Sequence, residues 1–240
     1  METDKKIALI TGATKGIGKG IALKLAACHY DLFIVGRDQN ALKTVSQEIG
    51  ALGVNCAFKA IDLSLPESPE LVVAAVIKTY GQLDLVVNNA GYASAKTVSE
   101  TSLDLWNKTF AINARAPFFI CQAAVKYLQK SSRPIIINIS SVVGFKGYAN
   151  QAVYSSSKHA LTGFTKVLAK EVQPLGIQVH LISPGGVNTE MVQEMRPDID
   201  TSQLIQVEEI ADIVEFIVTR KGRGTIDHFY IRRASGLPFD

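Results

Sequence analysis

Cysteine is scarce in this chain of 240 residues. Cys28, Cys56 and Cys121 are odd in number and far apart. That excludes a disulfide framework and fits reduced, small, mostly buried residues of a cytoplasmic protein. Histidine is equally sparse: His29, His159, His180 and His228 share no metal-ligand spacing, so no metal site is expected. Long apolar runs are missing too. None approaches the ~18 residues of a membrane span, and Met1-Glu2-Thr3-Asp4 followed by Lys5-Lys6 does not read as a secretory signal. A formal charge of +3 without a basic cluster gives nucleic acid little to bind. No repeat, low-complexity segment or Pro/Gly/Ser-rich linker divides the chain, so residues 1–240 are expected to form one domain.

What is present is a hydrophobic content of 47%, ample for a core, arranged as short apolar runs between helical patterns. The runs are Ile7–Thr11, Leu32–Gly36, Asn55–Ile61, Leu85–Asn88, Ile135–Ile139, Gln178–Ile182 and Thr225–Ile231. Most are continuous rather than alternating, as in strands buried on both faces of a parallel sheet. Helical patterns cover Ile17–Ala27, Gln39–Leu52, Glu67–Tyr80, two segments across Ser102–Gln129, Val153–Gln173 and Glu208–Val218. Right-handed crossovers then give an α/β fold: a doubly wound (Rossmann), mostly parallel, seven-stranded sheet flanked by helices. Its ligand crevice lies at the carboxyl ends of the strands.

Chemistry concentrates at three places. Tyr154 and Lys158 are four apart on a helical pattern that Pro174 ends, and Ser141 lies thirteen residues before the tyrosine. That spacing puts both side chains on one helix face. A nearby cation favours the phenolate, and a tunable phenol suits proton transfer to a carbonyl or from an alcohol. Tyr92 and Lys96 repeat the spacing after Asn88-Asn89-Ala90-Gly91, but no apolar period continues from them, so they are set aside. Ser155-Ser156-Ser157-Lys158 fits S-x-x-K, but its partner motifs are absent.

Thr11-Gly12-Ala13-Thr14-Lys15-Gly16-Ile17-Gly18 joins the first strand to the first helix. Gly12 permits the turn, Gly16 and Gly18 permit close approach to a phosphate, and the helix N-terminus favours an anion. The second strand ends in Gly36-Arg37-Asp38. An acid at its end would bind the ribose of NAD, whereas Arg37 and Lys15 suit the 2′-phosphate of NADP. NADP is expected; the alternative is a solvated Arg37 with Asp38 serving NAD.

These motifs, with Asp62-Leu63, Asn113 and Pro184-Gly185 followed by Thr189, make the chain resemble the short-chain dehydrogenase/reductase family over nearly its whole length. Within that family it looks most like bacterial 3-oxoacyl-carrier-protein reductases and related ketone, sugar and polyol dehydrogenases. The resemblance implies catalytic roles for four residues. Tyr154 is the acid/base, Lys158 lowers its pKa and holds the nicotinamide ribose, and Ser141 orients the carbonyl. Asn113 kinks its helix and holds a water that relays protons to Lys158. Asp62 and Leu63 meet the adenine, and Asn89, Ala90 and Gly91 line the adenosine ribose side. Pro184, Gly185, Val187 and Thr189 cover the nicotinamide. Each has a bland alternative: Ser141 as a turn cap, Asn113 as a helix-start residue, Asp62 as a loop start, Pro184-Gly185 as a turn.

The expected function is NADP-dependent reduction of a ketone or aldehyde to an alcohol. The alternatives are reduction of a 3-oxoacyl thioester and, in another class, a non-catalytic NADP-sensing regulator. Glu190–Gln206, where the family places a substrate lid, is short; it holds Met191, Met195 and Pro197. Beyond Ile231 the chain departs from the family's usual ending. Arg232 and Arg233 there have three readings: solvated, subunit-facing, or meeting an anionic substrate. The apolar faces of 116–127 and 160–172 suit a homodimer or homotetramer, or cover within one subunit.

Overall fold

The run Ile7–Thr11 is buried throughout and forms β1. On one edge it pairs with β2 (Asp31–Gly36), on the other with β4 (Leu85–Asn88). The computed structural model describes residues 5–195 and 199–237. Beyond β2 lies β3 (Cys56–Ala60); beyond β4 lie β5 (Ile135–Ile139), β6 (Gln178–Pro184) and β7 (His228–Ile231). The order is β3-β2-β1-β4-β5-β6-β7, and all six pairings are parallel, where the sequence suggested a mostly parallel sheet.

The helices are α1 (Gly16–Ala27), α2 (Gln39–Gly50), α3 (Ser68–Tyr80), α4 (Leu103–Phe110), α5 (Ala116–Leu128), α6 (Ala152–Val172), α7 (Glu190–Met195) and α8 (Val207–Thr219). Alternate strand residues face opposite ways, which sorts the core into two layers. Ile10, Ile34, Val87 and Ile137 pack against α1, α2 and α8. Leu9, Phe33, Val86 and Ile136 pack against α3, α5 and α6. The chain leaves β1 toward β2 and β3, then returns to β4 on the opposite side. This reversal opens a crevice where β1 and β4 end.

Apolar runs predict β1, β4 and β5 to the residue. β6 runs on to Pro184, which stands opposite Ile231, so Pro184 closes a strand rather than making a turn. β7 starts at His228 instead of Thr225; the pairing opens with the Leu181 amide donating to Asp227 O. Two features had no apolar signature. One is α7, six residues inside the segment 190–206 where a lid is expected; Pro197 of that segment lies outside the described residues. The other is a π-helical turn, Ala111–Arg115, that joins α4 to α5. On α5, Phe118 and Phe119 remain 42% exposed, as does Val167 on α6 at 54%, so these faces are not covered within the described residues. No helix among the described residues is long and apolar enough to cross a membrane.

Candidate active site

The turn after β1 meets the turn after β4. Thr11 Oγ1 accepts from the Asn89 and Ala90 amides at 3.1 and 3.0 Å, and Asn89 Nδ2 donates to Thr11 O and Gly12 O, both at 3.0 Å. Gly12 has φ +66°, and a Cβ there would lie 2.8 Å from Ala90 Cα. Only glycine lets the two turns close on each other. Gly16 and Ile17 line the cleft, and no side chain caps the first amides of α1. Those donors suit an anion. Gly18 has another job than expected. A Cβ there would lie 2.2 Å from Gly12 O, so it lets α1 pack on its own loop and does not line the cleft.

At the end of β2, Gly36 packs on Thr14 and Arg37 lines the cleft. Asp38 is occupied as the N-cap of α2: Oδ1 accepts from the Asn40 and Ala41 amides at 2.8 and 3.0 Å. That weakens the alternative in which Asp38 binds a ribose. Asp62 and Leu63, after β3, lie on the same wall. The Ser64 amide donates to the Asp62 carboxylate at 2.8 Å and is the main reason its pKa is lowered.

The inner end of the cleft holds Gly91, Tyr154 and Lys158. Ser141, just after β5, is hydrogen-bonded to the Tyr154 hydroxyl and donates to Pro184 O at 3.3 Å. Burial pushes the Tyr154 pKa up to about 12, against the pull of Ser141. Burial pushes Lys158 down to about 8. Burial, not Lys158, sets the direction of the tyrosine pKa in this geometry. The ammonium donates to Ile139 O at 2.9 Å and lies 5.9 Å from the ring centroid, so desolvation of the phenol prevails.

Asn113 sits fully buried in the π-helical turn. Its Oδ1 accepts from the Tyr92 amide at 2.8 Å, and its Nδ2 donates to Tyr92 O at 2.8 Å and Ser157 Oγ at 2.9 Å. Both ends of the side chain are thus engaged in holding a loop to α6. Tyr92, set aside as a decoy, lines the cleft, with the Lys108 ammonium 4.4 Å from its ring centroid. Its position follows from the partner of Asn113, which no local pattern reveals. Pro184, Gly185 and Val187 do not line the cleft, and Val187 is in the core. Thr189 is on the wall; its methyl lies 3.2 Å from where a Gly16 Cβ would be.

The cleft encloses about 650 Å³ at the carboxyl ends of β1 and β4. Its uncapped α1 amides, glycine approach and cationic outer rim fit a dinucleotide with a phenol at the inner end.

The sequence model of the short chain dehydrogenase family matches residues 6–200. A 3-oxoacyl-[acyl-carrier-protein] reductase of Salmonella typhimurium is 34% identical over 227 residues, 91% of this chain and 92% of that protein. A 3beta-hydroxysteroid dehydrogenase of Mediterraneibacter gnavus is 36% identical over 199 residues, 82% of this chain and 72% of that protein. Among solved structures, a metagenomic short-chain oxidoreductase in complex with NADP superposes with a TM-score of 0.84 at 29% identity, covering 95% of this chain and 97% of that one.

Proposed function

The chain belongs to the short chain dehydrogenase family of oxidoreductases, and on that basis we propose that it is an NADP-dependent enzyme interconverting a ketone or aldehyde and the corresponding alcohol. The observation that carries this reading is that Tyr154 and Lys158 line the inner end of the cleft, with Ser141 hydrogen-bonded to the Tyr154 hydroxyl. The nicotinamide supplies or accepts the hydride when bound. The rest falls to the chain. Ser141 orients the carbonyl oxygen, a contribution of the oxyanion-hole kind. Tyr154, protonated at neutral pH with its pKa pushed up to about 12, gives its proton to that oxygen and takes one back in oxidation. Lys158 holds the nicotinamide ribose, and its charge opposes the burial of the forming phenolate. Arg37 meets the 2′-phosphate, the α1 amides the diphosphate, and Asp62 and Leu63 the adenine. Asn113 fixes the loop at Tyr92.

Two further assignments accompany this. The exposed Phe118, Phe119 and Val167 suit a homodimer or homotetramer contact through α5 and α6. A 3-oxoacyl thioester is the second substrate reading, supported by the 34%-identical reductase. The test is NADPH oxidation with ketones, aldehydes and a 3-oxoacyl thioester. Turnover of one class identifies the substrate. Tight NADPH binding without turnover across the panel replaces the enzyme with a non-catalytic NADP sensor.

A further inference from the structure

One ion pair crosses the cleft. The Lys15 ammonium, on the glycine-rich loop, is bound by the carboxylate of Glu190, the first residue of α7 on the opposite wall. Both residues line the cleft, and the two walls also approach each other at Gly16 and Thr189. Three cations line the outer part of the cleft: Lys15, Lys19 and Arg37. Lys19 is paired with Glu48 at 2.8 Å. Arg37 alone of the three has no ion pair among the described residues. The sequence assigns Lys15 and Arg37 jointly to a 2′-phosphate, but in the structure Glu190 already holds one of them.

We propose that Glu190 is a specificity-determining residue for the cofactor, competing with its 2′-phosphate for Lys15. A dianionic phosphate at the rim displaces the carboxylate and takes the ammonium; a cofactor without that phosphate leaves the pair closed. The exchange rests on NADP being the cofactor. It adds that the first residue of α7 disfavours the phosphate it must yield to, so Glu190 lowers the preference for NADP over NAD that Arg37 creates. The side chains of Lys15 and Glu190 are 65% and 64% exposed, so the pair is weak. Such pairs contribute about 0.2–1 kcal/mol, which sets the expected effect at roughly one-and-a-half- to fivefold.

The experiment titrates wild type and Glu190→Gln with NADPH, NADH and adenosine 2′,5′-bisphosphate, following binding by fluorescence or calorimetry rather than turnover. Glu190→Gln should tighten NADPH and the bisphosphate by that factor and leave NADH unchanged. The gain should shrink at high salt and vanish in a Lys15→Ala background. Equal tightening of NADPH and NADH overturns the proposal. So does a gain that persists in Lys15→Ala, because Glu190 would then act as a bare charge. Wild type that binds neither NADPH nor the bisphosphate overturns the NADP reading together with the exchange. Wild type that binds NADPH while Glu190→Gln changes nothing overturns the exchange alone.

Discussion

Asn113 grips Tyr92 by both of its backbone groups, accepting from its amide and donating to its carbonyl, each at 2.8 Å. One side chain thereby does for an irregular loop what a neighbouring strand does for a strand. The same amide donates to Ser157 Oγ, and that hydroxyl donates to Tyr154 O at 2.7 Å. The loop after β4 and the helix carrying the phenol are thus tied through one buried asparagine.

Asn113→Ala should therefore lower stability and activity together. It leaves two backbone groups of Tyr92 unpaired, at about 1–3 kcal/mol for each group that stays buried. Asn113→Asp retains an acceptor for the Tyr92 amide but sets a second oxygen against Tyr92 O at a fully buried position, so it should not rescue the loss. Thermal unfolding and kcat/KM of the three proteins check this; an unchanged Tm in Asn113→Ala would refute it.

Tyr154→Phe removes only a hydroxyl. NADPH binding should persist while turnover falls by about 10²–10⁴-fold, the usual worth of a positioned general acid. Tyr92→Phe keeps the ring in the cleft wall and the bonds to Asn113, so its turnover should stay near wild type. Steady-state kinetics with a NADPH titration decide the matter. Turnover of Tyr154→Phe at the wild-type rate would remove the assignment.

Arg37→Ala should weaken NADPH about ten- to a hundredfold, since hydrogen bonds to charged groups contribute roughly 1.5–3 kcal/mol. NADH should barely change, and high salt should narrow the gap. Asp38→Ala removes the α2 cap at a cost of about 1 kcal/mol and should not alter the preference between nucleotides. Paired titrations check both variants; equal loss of NADPH and NADH in Arg37→Ala would return the site to Asp38 and NAD.

Lys158→Met should abolish activity and raise stability at neutral pH. Burial lowers the Lys158 pKa from 10.5 to about 8, so the folded state disfavours the ammonium. The sign follows by linkage. The penalty is full below about 8 and fades as pH rises toward 10.5, because there the unfolded chain binds more protons than the folded one. The shift corresponds to about 3 kcal/mol, and losing the bond to Ile139 O takes back about 1, so the gain at pH 7 should be on the order of 2 kcal/mol and should be lost as pH rises to about 10.5. Denaturant unfolding at several pH values measures it; a gain independent of pH would show that packing, not charge, is responsible.

The sequence by itself determined the parallel sheet and most of its strands, because a strand buried on both faces must be apolar at consecutive positions. Ile7–Thr11, Leu85–Asn88 and Ile135–Ile139 could be delimited for that reason. It also marked the glycine-rich turn and the tyrosine–lysine spacing, since a turn and a helix face are local geometry. Tertiary structure decided what depends on distant partners. Gly18 faces Gly12 O and not the cleft, Asn113 spends its amide on Tyr92, and Asp38 is consumed as a cap. Lys15 meets Glu190 across 175 positions of chain. The proton affinities of Tyr154 and Lys158 were beyond the sequence for the same reason. They are set by how much water the fold removes, and burial is a property of the packed molecule, not of a motif.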